Sequence, residues 1–282
     1  MIKISFIFSI LILLAVNSFG GQLIHSKINS KELNREWNYT IFLPEGYSPQ
    51  AEAYPVIYFL HGNGDDENAW QIGYDILDSL IWIGKIPPVI AVTPSGERGW
   101  WVNTLEHFES AVINELIPLI DSSYNTIRNR DGKMIAGFSM GGYGALRYAL
   151  VYPNLFSSCA IFSPALYNEE PPESSSSRSL GAFGSPFDLN LWNKLNYPET
   201  LKLFEEKNLI SFFFIGAGDD DWNNPEGVKY NVELQCVFLY QELQKKRNLP
   251  AELRIINGGH SWEVWKPLFT EAIQIMLKDK LK

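Results

Sequence analysis

The stretch KMIAGFSMGGYGAL, residues 133–146, decides the fold. Its apolar run at 134–138 is typical of a buried strand, and the Gly- and Ala-rich segment at 141–152 predicts a helix. Between them lies a Gly-x-Ser-x-Gly motif centred on Ser139. A sharp strand-to-helix turn exposes such a serine at the helix N-terminus and requires small residues on either side of it. The pattern predicts Ser139 as a nucleophile.

The rest of the chain alternates strand-like and helix-like segments, which predicts an α/β fold with a mostly parallel sheet between helices. The other expected strands are 36–43, 54–60, 88–92, 158–162, 210–215 and 253–256, and the other expected helices are 74–84, 105–120, 232–247 and 262–277. Right-handed crossovers would bring the carboxyl ends of the parallel strands to one edge, where ligands of such folds bind. A polar, serine-rich segment begins an insertion at about 168–200, which we expect to cover that edge, with a mobile loop at 168–179.

A serine hydroxyl needs a base to remove its proton, and a carboxylate to orient that base. Of the four histidines, His260 follows the last expected strand and precedes the last helix, so it can reach the same sheet edge. The carboxylate should follow the strand at 210–215, where three aspartates stand in a row. Asp219 is our choice, and Asp220 and Asp221 remain alternatives. The order Ser, Asp, His is the one expected of an α/β hydrolase.

A tetrahedral intermediate also needs backbone donors for its oxyanion. One should be the amide of Met140, the residue after the serine. The other should be the amide of Asn63, in the Gly-flanked loop that follows the strand at 54–60. His61, at the start of this loop, is expected to support either the structure or the oxyanion rather than to act as a base.

Composition narrows the class of partner. The 282 residues carry a formal net charge of −9, which argues against nucleic acid or an anionic membrane as a standing partner. The two cysteines, Cys159 and Cys236, are expected to be separately buried thiols without metal-ligand neighbours. No metal or organic cofactor is implied, and the oligomeric state is left open.

Residues 1–20 are interpreted as a signal peptide. An apolar run at 5–16 follows Lys3, and the small-x-small pattern of Ser18, Phe19 and Gly20 suits signal peptidase. The mature protein, 21–282, is therefore expected to be exported, periplasmic or secreted, as one catalytic domain. An uncleaved anchor is the alternative.

Taken together, these motifs resemble the esterase D-like family of α/β hydrolases, which includes feruloyl and acetyl-xylan esterases of carbohydrate esterase family one, S-formylglutathione hydrolases and siderophore esterases. The resemblance rests on segments along nearly the whole mature chain: YTIFLP at 39–44, FLHG at 59–62, WWVN at 100–103, ELIP at 115–118, GFSMGG at 137–142, GAGD at 216–219 and GGHSWEVW at 258–265. One departure is Pro-Ser-Gly at 94–96, where the family often has Pro-Asp-Gly.

The resemblance implies a serine carboxylesterase acting on feruloyl or acetyl esters of plant polysaccharide, a small-molecule or oligosaccharide substrate. Trp100, Trp101 and Trp262 are candidate substrate-binding residues because flat aromatic rings suit sugars or an aromatic acid; Trp192 and Trp222 could serve likewise. The alternatives are an exported siderophore trilactone esterase, an acyltransferase, and a carbohydrate-binding protein with a retired catalytic site.

Overall fold

The computed structural model describes residues 20–245 and 249–278, which are organised around one eight-stranded sheet. Its strands are β1 (Gln22–Ser30), β2 (Arg35–Leu43), β3 (Val56–Leu60), β4 (Ile90–Pro94), β5 (Lys133–Phe138), β6 (Ser158–Phe162), β7 (Phe212–Gly218) and β8 (Ala251–Ile256). Their order is β1-β2-β4-β3-β5-β6-β7-β8. β2 is antiparallel to both of its neighbours, and the six strands from β4 to β8 pair in parallel. The predicted α/β fold with a mostly parallel sheet is confirmed.

Helices cover both faces of the sheet. They are α1 (Gln71–Trp82), α2 (Phe108–Ser110), α3 (Ile117–Ser123), α4 (Met140–Val151), α5 (Ser176–Ser179), α6 (Leu189–Leu195), α7 (Tyr197–Glu206), α8 (Val232–Lys245) and α9 (Trp262–Leu277). A π-helical turn (Ala111–Leu116) joins α2 to α3, and 3₁₀ turns lie at Arg130–Gly132 and Val228–Tyr230. None of the helices in the described ranges is both long and apolar enough to cross a bilayer.

Two separate cores explain why the central strands are apolar throughout. Along β3, Tyr58 packs into the core beneath α4 and α8, whereas Ile57 and Phe59 pack into the core beneath α1 and α9. Successive side chains of a strand point to opposite faces, so a strand covered on both faces has no polar position to spare. Cys159 and Cys236 are both buried and unbridged, as expected.

The edge strand β1 was not predicted. Its residues alternate between half-buried and exposed positions, because one face is open to solvent and the strand has a neighbour on one side only. Its sequence, QLIHSKINS, therefore lacks the continuous apolar run by which the central strands are recognised. The strand is held by nine paired positions along β2. The expected signal peptide lies outside the described residues, except for Gly20.

Candidate active site

Ser139 occupies the strained turn between β5 and α4. Its φ is 55° and its ψ is −124°, a conformation that is costly for a residue other than glycine and that persists only where the surroundings impose it. The Ser139 N–H donates to Phe162 O at 2.9 Å and fixes the turn to β6. A Cβ on Gly141 would overlap the carbonyl oxygen of Leu60, so the flanking glycine is required by close approach of two backbones. The predicted turn geometry is thus present in the fold.

His260 lies in the loop between β8 and α9 and is bonded to Asp221. The two atoms, His260 Nδ1 and Asp221 Oδ1, are 2.7 Å apart, and the Asp221 side chain is completely buried. A carboxylate in this position accepts the Nδ1 proton, so Nε2 of the neutral ring is left as the basic nitrogen. His260 and Ser139 line the same cavity.

The choice of Asp219 as the acid is wrong, because the structure places Asp221 against His260. Asp219 still belongs to the strand ladder, since its N–H donates to Ile256 O at 2.8 Å. Its carboxylate accepts the Gly258 N–H at 3.0 Å and thereby shapes the loop before the histidine. Only after Asp220 does the chain turn inward, so the third aspartate of the run is the one that faces the imidazole.

Ser163 holds the second oxygen of the Asp221 carboxylate, a contact that the sequence did not suggest. Its hydroxyl donates to Asp221 Oδ2 and accepts the indole N–H of Trp265 at 2.7 Å. The Gly218 N–H also points to Oδ2, at 3.4 Å. Ser163 follows directly after β6, is fully buried and has a φ of 44°. The sequence alone shows only a serine after an apolar strand, and its positive φ and its contact with Asp221 are known only from the structure.

The two expected oxyanion donors, Asn63 and Met140, also line this cavity. Met140 is the first residue of α4, and amides in the first turn of a helix have no acceptor within the helix. The positive end of the helix dipole adds to the favourable potential for an anion there.

His61 fixes the Asn63 loop in place. Its Nδ1 donates to Gly62 O at 2.7 Å, and its Nε2 accepts the Gly96 N–H at 2.7 Å. Burial lowers the pKa of His61 from 6.5 to about 4, so the ring is neutral in the folded protein near neutral pH. The Trp101 indole N–H donates to the carbonyl of His61 at 3.2 Å. His61 therefore ties the loop to the segment after β4, as a structural residue.

The cavity has a volume of about 330 Å³, and its lining revises the expected set of tryptophans. Trp100 lines the cavity, although only 1% of its surface is exposed. Trp101 is absent from the lining and packs against His61 and Phe108, so the prediction that it binds substrate is wrong. The tryptophans that line the cavity beside His260 are Trp222 and Trp265.

Trp262 is also misassigned as a substrate-binding residue. It packs edge-on against Trp70, Phe138 and Trp265, with ring centroids 5.5 to 5.8 Å apart. Phe138 and Trp265 form the wall of the cavity, and Trp262 supports them from outside the lining. Over residues 20–245 and 249–278, no group of three or more His, Cys, Asp or Glu side chains could hold a metal ion.

The mostly parallel sheet, with a strained serine between a central strand and a helix and with a histidine and a buried aspartate on later loops, is the arrangement of the α/β-hydrolase fold. Residues 30–276 match the family model Esterase, described as "Putative esterase". The chain belongs to this esterase family.

Named proteins resemble this chain in sequence or in fold. An esterase of Mycobacterium tuberculosis is 29% identical over 79% of this chain and 53% of its own length. An endo-1,4-beta-xylanase/feruloyl esterase of Xylanibacter ruminicola is 27% identical over 84% of this chain and 29% of its own length. The chain thus spans about half, or less, of these curated relatives. A solved ferulic acid esterase superposes with a TM-score of 0.74 at 23% identity, covering 92% of this chain and 98% of that one, which shows a shared fold.

Proposed function

We propose that this protein hydrolyses carboxylic esters through an acyl-enzyme on Ser139. One observation carries the proposal: the strained Ser139 and His260 line one cavity, and His260 is bonded at 2.7 Å to the buried Asp221. A serine hydroxyl, a histidine base and an orienting carboxylate form the arrangement that acyl transfer requires. Membership of the esterase family supports the same class of reaction.

In the first half-reaction, His260 Nε2 accepts the proton of Ser139 Oγ as the oxygen attacks the ester carbonyl carbon. The resulting imidazolium is stabilised by Asp221, which keeps its own charge. Collapse of the tetrahedral intermediate breaks the bond to the alcohol oxygen, and His260 returns its proton to that oxygen. Water then attacks the acyl-enzyme by the same route, releasing the acid and restoring Ser139.

The negative charge on the carbonyl oxygen is held by the amides of Asn63 and Met140. Removing one such donor typically costs about 10²- to 10³-fold in rate. Because His61 is neutral and bonded at both nitrogens, it fixes the Asn63 loop without adding a titrating charge beside the oxyanion.

The proposed substrates are feruloyl or acetyl esters of plant polysaccharide. Relatives with xylanase/feruloyl esterase and acetyl esterase in their names support this class. In the cavity, Trp222 is 57% exposed and stands beside His260, where its ring could stack on a sugar or an aromatic acid.

The test compares the wild type with Ser139→Ala on methyl ferulate, feruloylated arabinoxylan oligosaccharide and p-nitrophenyl acetate. We expect serine-dependent release of ferulate, faster from the oligosaccharide than from the methyl ester, together with labelling of Ser139 by a fluorophosphonate. Turnover of the acetyl ester alone would remove the feruloyl assignment. Activity that survives Ser139→Ala would overturn the mechanism.

Export through a signal peptide at 1–20 is part of the same proposal. β1 begins at Gln22, directly after the expected cleavage point, and the Gly21 N–H donates to Asp78 Oδ1 at 2.7 Å. Sequencing the N-terminus of the exported protein should give Gly21 or Gln22. Recovery of the uncleaved chain in the membrane fraction would favour the anchor instead.

A further inference from the structure

A serine-rich segment, residues 171–179, forms part of the wall of the same cavity that the loop at 62–65 lines. Four of its serines line the cavity: Ser174, Ser175, Ser176 and Ser179. Ser179 is exposed and Ser176 is half-buried, so these two hydroxyls can reach a ligand, whereas the hydroxyl of the exposed Ser174 is bonded to Glu226. Each hydroxyl can donate one hydrogen bond and accept others, which suits a ligand that carries many hydroxyls of its own.

This segment is anchored from the β7–α8 loop, residues 219–231. The Glu226 carboxylate accepts the N–H of Glu173 at 2.7 Å and the N–H of Ser174 at 2.8 Å. The Ser174 hydroxyl bonds to the same carboxylate, and these bonds hold the pKa of Glu226 below its usual range. The charged carboxylate is therefore the form that the segment stabilises.

Glu226 is itself fixed by a residue of the cavity. Its N–H donates to the side-chain oxygen of Asn224 at 2.8 Å, and Asn224 lines the cavity. The same loop supplies Asp221 to the histidine and Trp222 to the cavity. The β7–α8 loop thus supplies the carboxylate that contacts His260 and also fixes the position of the serine-rich segment.

We propose that Glu226 is a positioning residue that holds the serine-rich segment as the wall binding the polyhydroxylated, sugar part of the ester. The assignment rests on the proposed function for the identity of the ligand, and on the contacts of Glu226 for the role. The open hydroxyls, the Asn224 side chain and the exposed Trp222 ring together form a surface of hydrogen-bonding groups beside a flat apolar face, the chemistry that recognises a sugar ring.

Binding is measured first, so that the result does not depend on turnover. Feruloylated arabinoxylan oligosaccharide is titrated by calorimetry into Ser139→Ala and into the same protein with Glu226→Ala. We expect Kd to rise about tenfold, the loss of one good hydrogen bond's worth of affinity. Glu226→Gln, which keeps one acceptor oxygen, should fall in between. The matched control is Glu36→Ala, another exposed, hydrogen-bonded glutamate, which lies on β2 next to the edge strand β1 and does not line the cavity, and it should leave Kd unchanged.

Further measurements distinguish the effect of Glu226 on the position of the serine-rich segment from the contribution of the serine hydroxyls to binding. Hydrogen exchange should show lost protection of the Glu173 and Ser174 amides in Glu226→Ala. The double variant Ser176→Ala/Ser179→Ala, which leaves Glu226 in place, should also weaken oligosaccharide binding. In the Ser139-containing protein, Glu226→Ala should raise KM for the oligosaccharide ester while kcat/KM for p-nitrophenyl acetate changes less than about threefold.

Equal Kd values for Ser139→Ala with and without Glu226→Ala would overturn the assignment, as would failure of the parent protein to bind the oligosaccharide. If the wild type hydrolyses no ester but Glu226→Ala still weakens binding, the proposed hydrolysis fails and the role of Glu226 stands. Loss of folding in Glu226→Ala would appear as a lowered Tm, and the Ser176/Ser179 double variant then decides whether the wall binds sugar.

Discussion

Replacing Asp221 with asparagine tests the identification of the acid and, through it, the tautomer of His260. The substitution keeps the size and shape of the side chain, so the buried loop should fold. What changes is the capacity for hydrogen bonding, because one acceptor oxygen becomes an NH₂ group that can only donate.

The surrounding contacts decide which way the new amide points. At the Oδ2 position, the Ser163 hydroxyl and the Gly218 N–H both donate. An NH₂ group at that position would face the Gly218 N–H, which can only donate, and would leave the Ser163 hydroxyl proton without its acceptor. The amide oxygen of asparagine must therefore occupy the Oδ2 position, and its NH₂ group must face His260 Nδ1. Nδ1 then becomes the acceptor, and the proton moves to Nε2, the nitrogen that should receive the proton of Ser139.

The wrong tautomer and the lost carboxylate together should lower kcat by about 10³- to 10⁴-fold, with the fold unchanged. Asp219→Asn is the matched control, since an asparagine oxygen can still accept the Gly258 N–H. That variant should lose less than about tenfold in rate, as expected for one retained neutral hydrogen bond. Steady-state hydrolysis of p-nitrophenyl acetate measures both. A larger loss in Asp219→Asn than in Asp221→Asn would refute the reasoning.

The remaining predictions concern stability. Folding lowers the pKa of His61 from 6.5 to about 4, so as the pH falls the unfolded chain takes up a proton before the folded one does. The contribution of His61 to the free energy of unfolding is therefore fully present above pH 6.5. It falls by roughly 3 kcal/mol as the pH drops to 4. Denaturant titrations across this range should show a smaller fall for His61→Gln, and an equal fall would exclude His61 as the source. Arg147 forms a buried ion pair with Glu109 at 2.8 Å, so Arg147→Met should cost about 3–5 kcal/mol by leaving a buried charge alone. The double variant Arg147→Met/Glu109→Met should recover much of that loss; no recovery would mean that packing, not charge, sets the cost.

The central strands and the turn at Ser139 could be predicted from the sequence because each depends on residue types at neighbouring positions. A strand covered on both faces must be apolar at successive positions, as β3 and β5 are. The elbow around Ser139 requires glycines where two backbones approach closely, and this requirement appears directly in the motif. The edge strand β1 could not be found in this way, because its pairing with β2 depends on a partner that the local sequence does not reveal.

The tryptophans show a different limit. Trp100 and Trp101 are adjacent, and both have positive φ, at 53° and 57°. Their identical residue type and neighbouring positions give no indication that one lines the cavity while the other supports the His61 loop. Side-chain direction in such a turn is set by tertiary packing, so composition can propose an aromatic surface without saying which rings form it.

The path of the chain through the three aspartates and Trp222 explains why Asp221, and not Asp219, contacts His260. It also explains how the β7–α8 loop can contribute both to the catalytic residues and to the cavity wall. The N–H groups of Asp219 and Asp220 continue the hydrogen bonding of β7 past Gly218, to Ile256 O and Gly258 O. The chain turns towards His260 only after these two residues. Asp221 then points inward, completely buried, while Trp222, with φ of 48°, points out into the cavity. A positive φ in a tryptophan is costly and must be imposed by the loop. Asp221 faces His260 Nδ1 and Trp222 faces the cavity, and Glu226, further along the same loop, fixes the serine-rich segment. Substitutions that relax this turn should therefore affect rate and substrate binding together, whereas substitutions at Glu226 should affect mainly binding.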